Sequence, residues 1–247
     1  MISTLMFDVN FSLERFYFHT PLQNWSYLIY WGDKALVVDP FAAAPLLEFL
    51  AAKKLKLTAI LNTHEHFDHV AGNAELLKSF PAAFVIAPNH NLDRLKHLNL
   101  PPGLEVEAIS TPGHCAQHLC FAFFKGPKLF ALFSGDILFH GGVGRVMPGG
   151  NLEQLYQSLE ILLMRVPGAA SIYPGHDYLA KNLEFVGKLA DFPKLPSQEL
   201  DTMDNEKKRN PFLWIMNQRN WELLPIEWKL SSPMETFTKL RELRNRS

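Results

Sequence analysis

Apolar residues recur along this chain with two periods. Short apolar or alternating runs predict β-strands at 25–31, 35–38, 57–61, 83–87, 104–109, 119–124, 129–133 and 170–173, and the stretch from Leu5 to Val38 reads as strand almost throughout. The Gly32-Asp33 turn predicts an antiparallel hairpin between the first two of these, and Lys125-Gly126-Pro127-Lys128 a second turn. Helical spacing predicts α-helices over 45–55, with Leu46, Leu47 and Leu50 on one face, over 70–80, and through Leu92, Leu95 and Leu98. The strongest helix is 151–164: Leu152, Leu155, Tyr156, Leu159, Leu162 and Leu163 form one stripe, and Asn151 with Gln154 reads as a capping box. Beyond Tyr178 strand patterns stop. Helical ones follow at about 178–190, 197–208 and 233–244, with a Trp- and Pro-containing connector before the last. The pattern predicts an α/β domain with a helical appendage.

Four of the predicted strands end in residues that bind metals. Strand 57–61 runs into Thr63-His64-Glu65-His66-Phe67-Asp68-His69, strand 104–109 into Thr111-Pro112-Gly113-His114, strand 129–133 into Ser134-Gly135-Asp136, and strand 170–173 into Pro174-Gly175-His176. Imidazole and carboxylate are the usual nitrogen and oxygen ligands of zinc and similar ions. Residues two apart on an extended chain point the same way, so His64 and His66 can reach one ion while Asp68 and His69, one step further, are free to reach a second. Any one of these alone would read as a solvated loop residue, and Asp68 as a helix cap. Together, His64, His66, Asp68, His69, His114, Asp136 and His176 are too many for one tetrahedral ion with an open position. They fit two ions with three protein ligands apiece and one shared carboxylate. His90 and His97 lack ligand spacing and read as surface or satisfied core residues, Asp39 before Pro40 reads first as a turn residue and second as a carboxylate supporting the metal ligands, and Gly141-Gly142-Val143-Gly144-Arg145 as a loop.

Composition narrows the partners. A net charge of −1 over 247 residues argues against a general nucleic-acid or membrane-surface binder, and 47% hydrophobic residues suffice for a core. No apolar run has the length of a membrane span and the first residues lack a basic secretory start, so the expected location is cytoplasmic and the expected partner a small molecule. Cys115 and Cys120 form no disulfide framework and read as buried thiols.

The series Thr-His-x-His-x-Asp-His, Thr-Pro-Gly-His, Gly-Asp and Pro-Gly-His resembles that of the metallo-β-lactamase fold superfamily, and within it the chain resembles glyoxalase II, the hydroxyacylglutathione hydrolase family. The likeness covers nearly the whole chain. It includes 24–29, Gly72-Asn73, 134–139, 173–178, Asn210-Pro211-Phe212-Leu213 in the tail, and 235–241 near the end. It implies an αββα sandwich over 1–177 and a small helical C-terminal domain over 178–247 that contributes to the substrate site. It also implies two divalent ions, expected to be zinc with iron or manganese as the other candidates. By the same resemblance His64, His66 and His114 bind the first ion, Asp68, His69 and His176 the second, and Asp136 bridges.

The implied reaction is hydrolysis of a thioester such as S-D-lactoylglutathione by a metal-activated water that Asp68 orients, with Arg145 and Tyr178 binding the glutathione moiety. The family's basic residues after Asn-Pro-Phe are absent here: 213–218 contains none, and only Arg219 follows. That departure admits a thioester other than glutathione's. An iron persulfide dioxygenase of the same fold is the main rival, although such enzymes normally lack a helical tail. A β-lactamase would commonly carry Cys where Asp136 stands. Nuclease members fit the neutral charge poorly, and a metal-binding protein without turnover is the non-enzymatic alternative.

Overall fold

The computed structural model describes residues 2–8, 11–193 and 202–247. The chain begins with four antiparallel strands, β1 (Ile2–Asp8), β2 (Phe11–Tyr17), β3 (Trp25–Trp31) and β4 (Lys34–Val38). Helix α1 (Ala44–Ala52) crosses to β5 (Lys56–Leu61). The short helices α2 (Phe67–Val70) and α3 (Asn73–Ser79) cross to β6 (Phe84–Ile86), so that β4, β5 and β6 are parallel and the first sheet has the order β1-β2-β3-β4-β5-β6. After a 3₁₀ turn at Leu92–His97 come β7 (Leu104–Ser110), β8 (Leu119–Lys125) and β9 (Lys128–Gly135). A two-strand ribbon of β10 (Leu138–Phe139) and β11 (Gly142–Val143) follows, then α4 (Leu152–Arg165) and β12 (Ser171–Pro174). β12 joins β9 in parallel, and the second sheet has the order β12-β9-β8-β7. The tail holds α5 (Leu179–Gly187), α6 (Met203–Arg209), α7 (Pro211–Met216), α8 (Gln218–Glu222) and α9 (Pro233–Arg246).

Strand alternation builds the layers. Leu13, Ile29, Leu36, Val38, Ala59 and Leu61 project inward from the first sheet and meet Phe121, Phe123, Phe133 and Tyr173 of the second. Their neighbours Leu28, Ala35, Val37, Leu57 and Ile60 point outward, onto Leu46 and Leu50 of α1 and Leu76 of α3. On the far face of the second sheet, Cys120, Ala122, Leu132 and Ile172 pack on Leu155, Leu159 and Leu162 of α4, and the same core continues into Phe212, Phe237 and Leu240 of the tail. The αββα sandwich implied by the resemblance is what forms, with helices α5 to α9 on the side of α4.

Four differences from the sequence reading have physical causes. The helix expected over 70–80 is broken at Gly72, whose N–H donates to Pro40 O at 2.8 Å and where an added Cβ would stand 2.8 Å from the same oxygen. The break leaves α2 as a separate turn carrying Asp68 and His69. The connector after Asn210 is helical, because Asn210 Oδ1 caps α7 through Phe212 N and Pro211 takes the first position, where its missing N–H costs nothing. The Gly141 to Arg145 loop supplies strand β11, and 92–98 winds as 3₁₀ rather than α. The helix expected over 197–208 is seen as α6; residues 197–201 lie outside the described residues.

A buried polar knot fastens the tail to the ribbon. Glu206 is fully buried and accepts from His140 Nδ1 at 3.1 Å, Gly141 N at 2.9 Å and Arg209 Nε at 2.7 Å. Asn210 Nδ2 donates to Gly142 O at 2.9 Å. Burial pushes the Glu206 carboxyl up, but the hydrogen bond and charge of His140, then Arg209, outweigh it and hold the group below its usual 4.5. A depressed folded-state pKa contributes stability above the unfolded value that disappears as pH falls through the folded one. Glu206→Gln is therefore expected to destabilise by about 1–3 kcal/mol at pH 7. Thermal unfolding between pH 7 and pH 3 checks this: the gap between wild type and variant narrows toward the acid end.

Candidate metal centre

All the strand ends named above meet at one edge of the sandwich. Parallel pairing of β4 with β5 and of β9 with β12 aligns their C-terminal ends, from which Asp39, His64, Asp136 and His176 emerge. His66 lies at the start of α2, Asp68 and His69 within it, and His114 follows β7. Facing atoms of three groups lie within 4.8 Å of one another: His64, His66 and His114; His64, His69 and Asp136; and Asp68, His69 and His176. Asp136 touches both sets, Oδ2 lying 3.2 Å from His176 Nε2 and 3.6 Å from His114 Nε2, and Oδ1 3.4 Å from His69 Nε2. Glu65 points out to solvent, and His90 and His97 are exposed and remote from the cluster.

The hydrogen bonds behind the rings decide which nitrogens are bare. His114 Nδ1 donates to Arg145 O at 2.7 Å and His176 Nδ1 to Leu22 O at 2.8 Å; a carbonyl can only accept, so both rings carry the proton on Nδ1. His69 Nδ1 donates to Asp39 Oδ2 at 2.9 Å. Thr63 gives its hydroxyl proton to Asp39 Oδ2 at 2.6 Å and so accepts from His64 Nδ1 at 3.0 Å. Four Nε2 lone pairs are thus aimed inward. They crowd one another: His66 Nδ1 lies 2.9 Å from His64 Nε2 and 3.0 Å from His114 Nε2, and His69 Nε2 lies 3.3 Å from His176 Nε2. Where neither nitrogen of such a pair carries a proton, they repel unless a cation lies between them. Tetrahedral bonds of about 2.0–2.1 Å place two ligand nitrogens about 3.3 Å apart. Asp136 Oδ1 is buried and accepts no hydrogen bond from the described residues, although His69 stands close by. The donor set fits divalent metal ions.

Electrostatics agree. Burial holds His64 well below the usual imidazole value and lowers His66 and His114 as well, so these rings are neutral, the form that ligates. Burial acts in the same direction on His69, but Asp136, then Asp39 and Asp68, raise it to about 9. Three carboxylates therefore make the centre favour positive charge. Asp136 is raised by burial and lowered more by His176 and His69, ending well below the carboxylate range.

Three residues support the cluster from behind; of these the sequence pointed only to Asp39, and as the alternative to a turn residue. Asp39 does occupy a left-handed turn, at φ +48, but its carboxylate accepts from Thr63 N at 2.8 Å, Thr63 Oγ1 and His69 Nδ1, so it orients two imidazoles rather than serving the turn alone. His118 is buried between Thr111 Oγ1 at 2.9 Å and the backbone N–H of Asp136, which donates to its Nε2 at 3.1 Å. Gly135 makes that contact possible: its φ is +49, and an added Cβ would stand 2.6 Å from His118 Nε2. Asn24, fully buried, donates to Asp68 Oδ2 at 2.9 Å. Only the spacing of His118, four residues after His114 and directly ahead of an apolar strand, could have marked it.

Tyr178 stacks flat on His176, with ring centroids 4.9 Å apart and planes 2° from parallel. Arg145 is exposed beside it and acts electrostatically on both His66 and Tyr178. Of the two thiols, Cys120 is buried while Cys115 is only half-buried; burial raises them to about 12 and about 11.

Comparison with known proteins agrees with this geometry. Residues 19–92 match the metallo-beta-lactamase superfamily. The chain is 35% identical to the hydroxyacylglutathione hydrolase of Francisella tularensis subsp. novicida, an alignment that covers 94% of this chain and 98% of that one. Among solved structures it is similar to TTHA1623 in a di-iron-bound form, with 28% identity, a TM-score of 0.57 and coverage of 81% of this chain and 99% of that one. It shares its fold with ETHE1 from Myxococcus xanthus, with 24% identity, a TM-score of 0.62 and coverage of 98% and 90%. Fold, ligand cluster and near full-length identity converge, and the chain belongs to the hydroxyacylglutathione hydrolase family of the metallo-β-lactamase superfamily.

Proposed function

We propose that this protein hydrolyses S-(2-hydroxyacyl)glutathione thioesters, with S-D-lactoylglutathione as the representative, to the 2-hydroxy acid and glutathione. The observation that carries the reading is the convergence of bare imidazole nitrogens on the buried Asp136 carboxylate, in a chain of this family. In this reading His64, His66 and His114 would hold one divalent ion, Asp68, His69 and His176 a second, and Asp136 would be shared between them. Zinc suits these nitrogen and oxygen donors, and iron and manganese are accepted by the same set.

When bound, the ions supply a water of lowered pKa and a Lewis acid for the thioester carbonyl. The chain's own residues do the rest. Asn24 holds the Asp68 carboxylate, which orients the attacking water and takes its proton. Asp39 and Thr63 keep His64 and His69 in the tautomer that presents Nε2. The departing sulfur needs no strong acid, because an ordinary thiol has a pKa of about 8.5. Arg145 pairs with a glutathione carboxylate and Tyr178 donates a hydrogen bond at the mouth of the site. Residues 1–177 form the catalytic layer and 178–247 a helical part that completes the substrate site. Among the described residues no helix is long and apolar enough to cross a membrane. We place the protein in the cytoplasm, acting on a small molecule.

Steady-state hydrolysis of S-D-lactoylglutathione, measured beside a matched thioester without the glutathione carboxylates, tests the reading. A kcat/KM at least about tenfold higher for the glutathione ester is expected, the scale of one charge-assisted hydrogen bond. Hydrolysis of neither ester, with one iron per chain and oxygen uptake on glutathione persulfide, would overturn it in favour of the dioxygenase.

A further inference from the structure

Asp136 differs from the other carboxylates of the centre. Asp68 is held by Asn24 and Asp39 by Thr63, but among the described residues only His69, His114 and His176, ligand candidates themselves, approach the Asp136 carboxylate. Its direction is therefore set by its backbone. That backbone is a tight turn: Gly135 takes φ +49, its carbonyl accepts from Gly175 N at 2.9 Å, and Ile137 N donates to Ser134 O at 3.2 Å. The N–H of Asp136 itself is aimed at an imidazole, with His118 Nε2 3.1 Å away.

The fully buried His118 has both nitrogens engaged, which leaves none for a metal ion. A backbone N–H can only donate, so Nε2 is bare and the ring proton sits on Nδ1, which donates to Thr111 Oγ1 at 2.9 Å. The order of protons continues from there. Cys120 Sγ lies 3.7 Å from Ser134 O and gives its proton to that carbonyl, so the Thr111 hydroxyl turns its own toward Sγ at 3.4 Å. The chain runs from the N–H of Asp136 through His118, Thr111 and Cys120 back to the carbonyl of Ser134, at the other end of the same turn. Burial first, and then the charge of His114, hold His118 well below the usual imidazole value, so the ring keeps the uncharged form that can accept. An aliphatic side chain in its place would leave the buried Asp136 N–H without an acceptor and loosen the turn.

We infer that His118 is a positioning residue for Asp136: with Thr111 and Cys120 it fixes the Ser134-Gly135-Asp136 turn so that the carboxylate stands between the two ligand sets. What Asp136 does there rests on the two-ion thioesterase reading; the closed chain itself rests on the hydrogen bonds.

Zinc affinity, measured by competition with a chelator, tests this apart from turnover. His118→Leu is expected to weaken zinc binding about 10–100-fold. It is also expected to lower kcat for S-D-lactoylglutathione while KM stays within about twofold of wild type. His118→Gln, whose amide oxygen takes the place of Nε2 as acceptor, is expected to restore most of both. Thr111→Val keeps the shape of the side chain but removes the acceptor of Nδ1–H, and is expected to weaken zinc binding about twofold to tenfold, the scale of one neutral hydrogen bond. Leu159→Ala, which opens a cavity at a core position of α4, is expected to lose stability yet hold zinc as wild type does. Zinc affinity of H118L within about twofold of wild type, H118Q no better than H118L, or an equal loss of zinc in L159A would overturn the role. His118-dependent zinc affinity in a protein that hydrolyses no thioester would overturn the proposed function and leave the positioning role standing.

Discussion

Asp136→Ala is expected to lower kcat/KM for S-D-lactoylglutathione by at least about 10³-fold and to leave the protein with little bound metal. The side chain stands between the two ligand sets, within 3.2 Å of His176 Nε2, 3.4 Å of His69 Nε2 and 3.6 Å of His114 Nε2. No neighbouring carboxylate can replace it: Asp68 is held by Asn24 and Asp39 by Thr63 and His69. The backbone contact to His118 does not depend on the side chain, so the variant keeps its fold and its far-ultraviolet circular dichroism. Metal content after gel filtration and the rate of thioester cleavage are the two readouts. Wild-type activity in this variant would remove Asp136 from the centre.

Asp39→Asn is the second large effect, although this residue touches no substrate. Asparagine tolerates the left-handed backbone at φ +48, so the turn survives. The carboxylate's charge is lost, and one amide oxygen cannot serve Thr63 N, Thr63 Oγ1 and His69 Nδ1 at once. Removing such a partner behind metal-binding imidazoles costs about 10–100-fold in metal affinity. Asp39→Ala adds backbone strain and leaves the buried Thr63 N–H without its acceptor, for a further loss of stability of about 2–4 kcal/mol. Competition with a chelator measures the first effect and thermal unfolding the second. Metal affinity in D39N within twofold of wild type would show that Asp39 serves only the turn.

The ligand cluster was legible because its residues are crowded at the ends of apolar strands, where neither a turn nor a helix cap needs so many imidazoles. The residues behind it were less legible, and Asp39 only as a second choice, for a specific reason. Asp39 meets Thr63 only because β4 pairs with β5 in one register, with Asp39 N donating to Leu61 O at 3.0 Å, and local turn chemistry already explained an Asp before Pro40. His118 reaches the backbone of Asp136 across the β8–β9 pair, a contact no local pattern reports. The strands followed from alternation and the sandwich from the family resemblance, whereas the break at Gly72 depends on Pro40 from a distant loop. Helices α7 and α8 are too short for a periodic stripe and rest on the caps of Asn210 and Asn217.

The central claim, a two-ion thioester hydrolase, is tested most directly by removing all metal and returning zinc in measured equivalents while S-D-lactoylglutathione hydrolysis is followed. The centre described here predicts activity that climbs to a plateau at two ions per chain. A plateau at one ion, or two tightly held ions with no hydrolysis of the thioester, would contradict it.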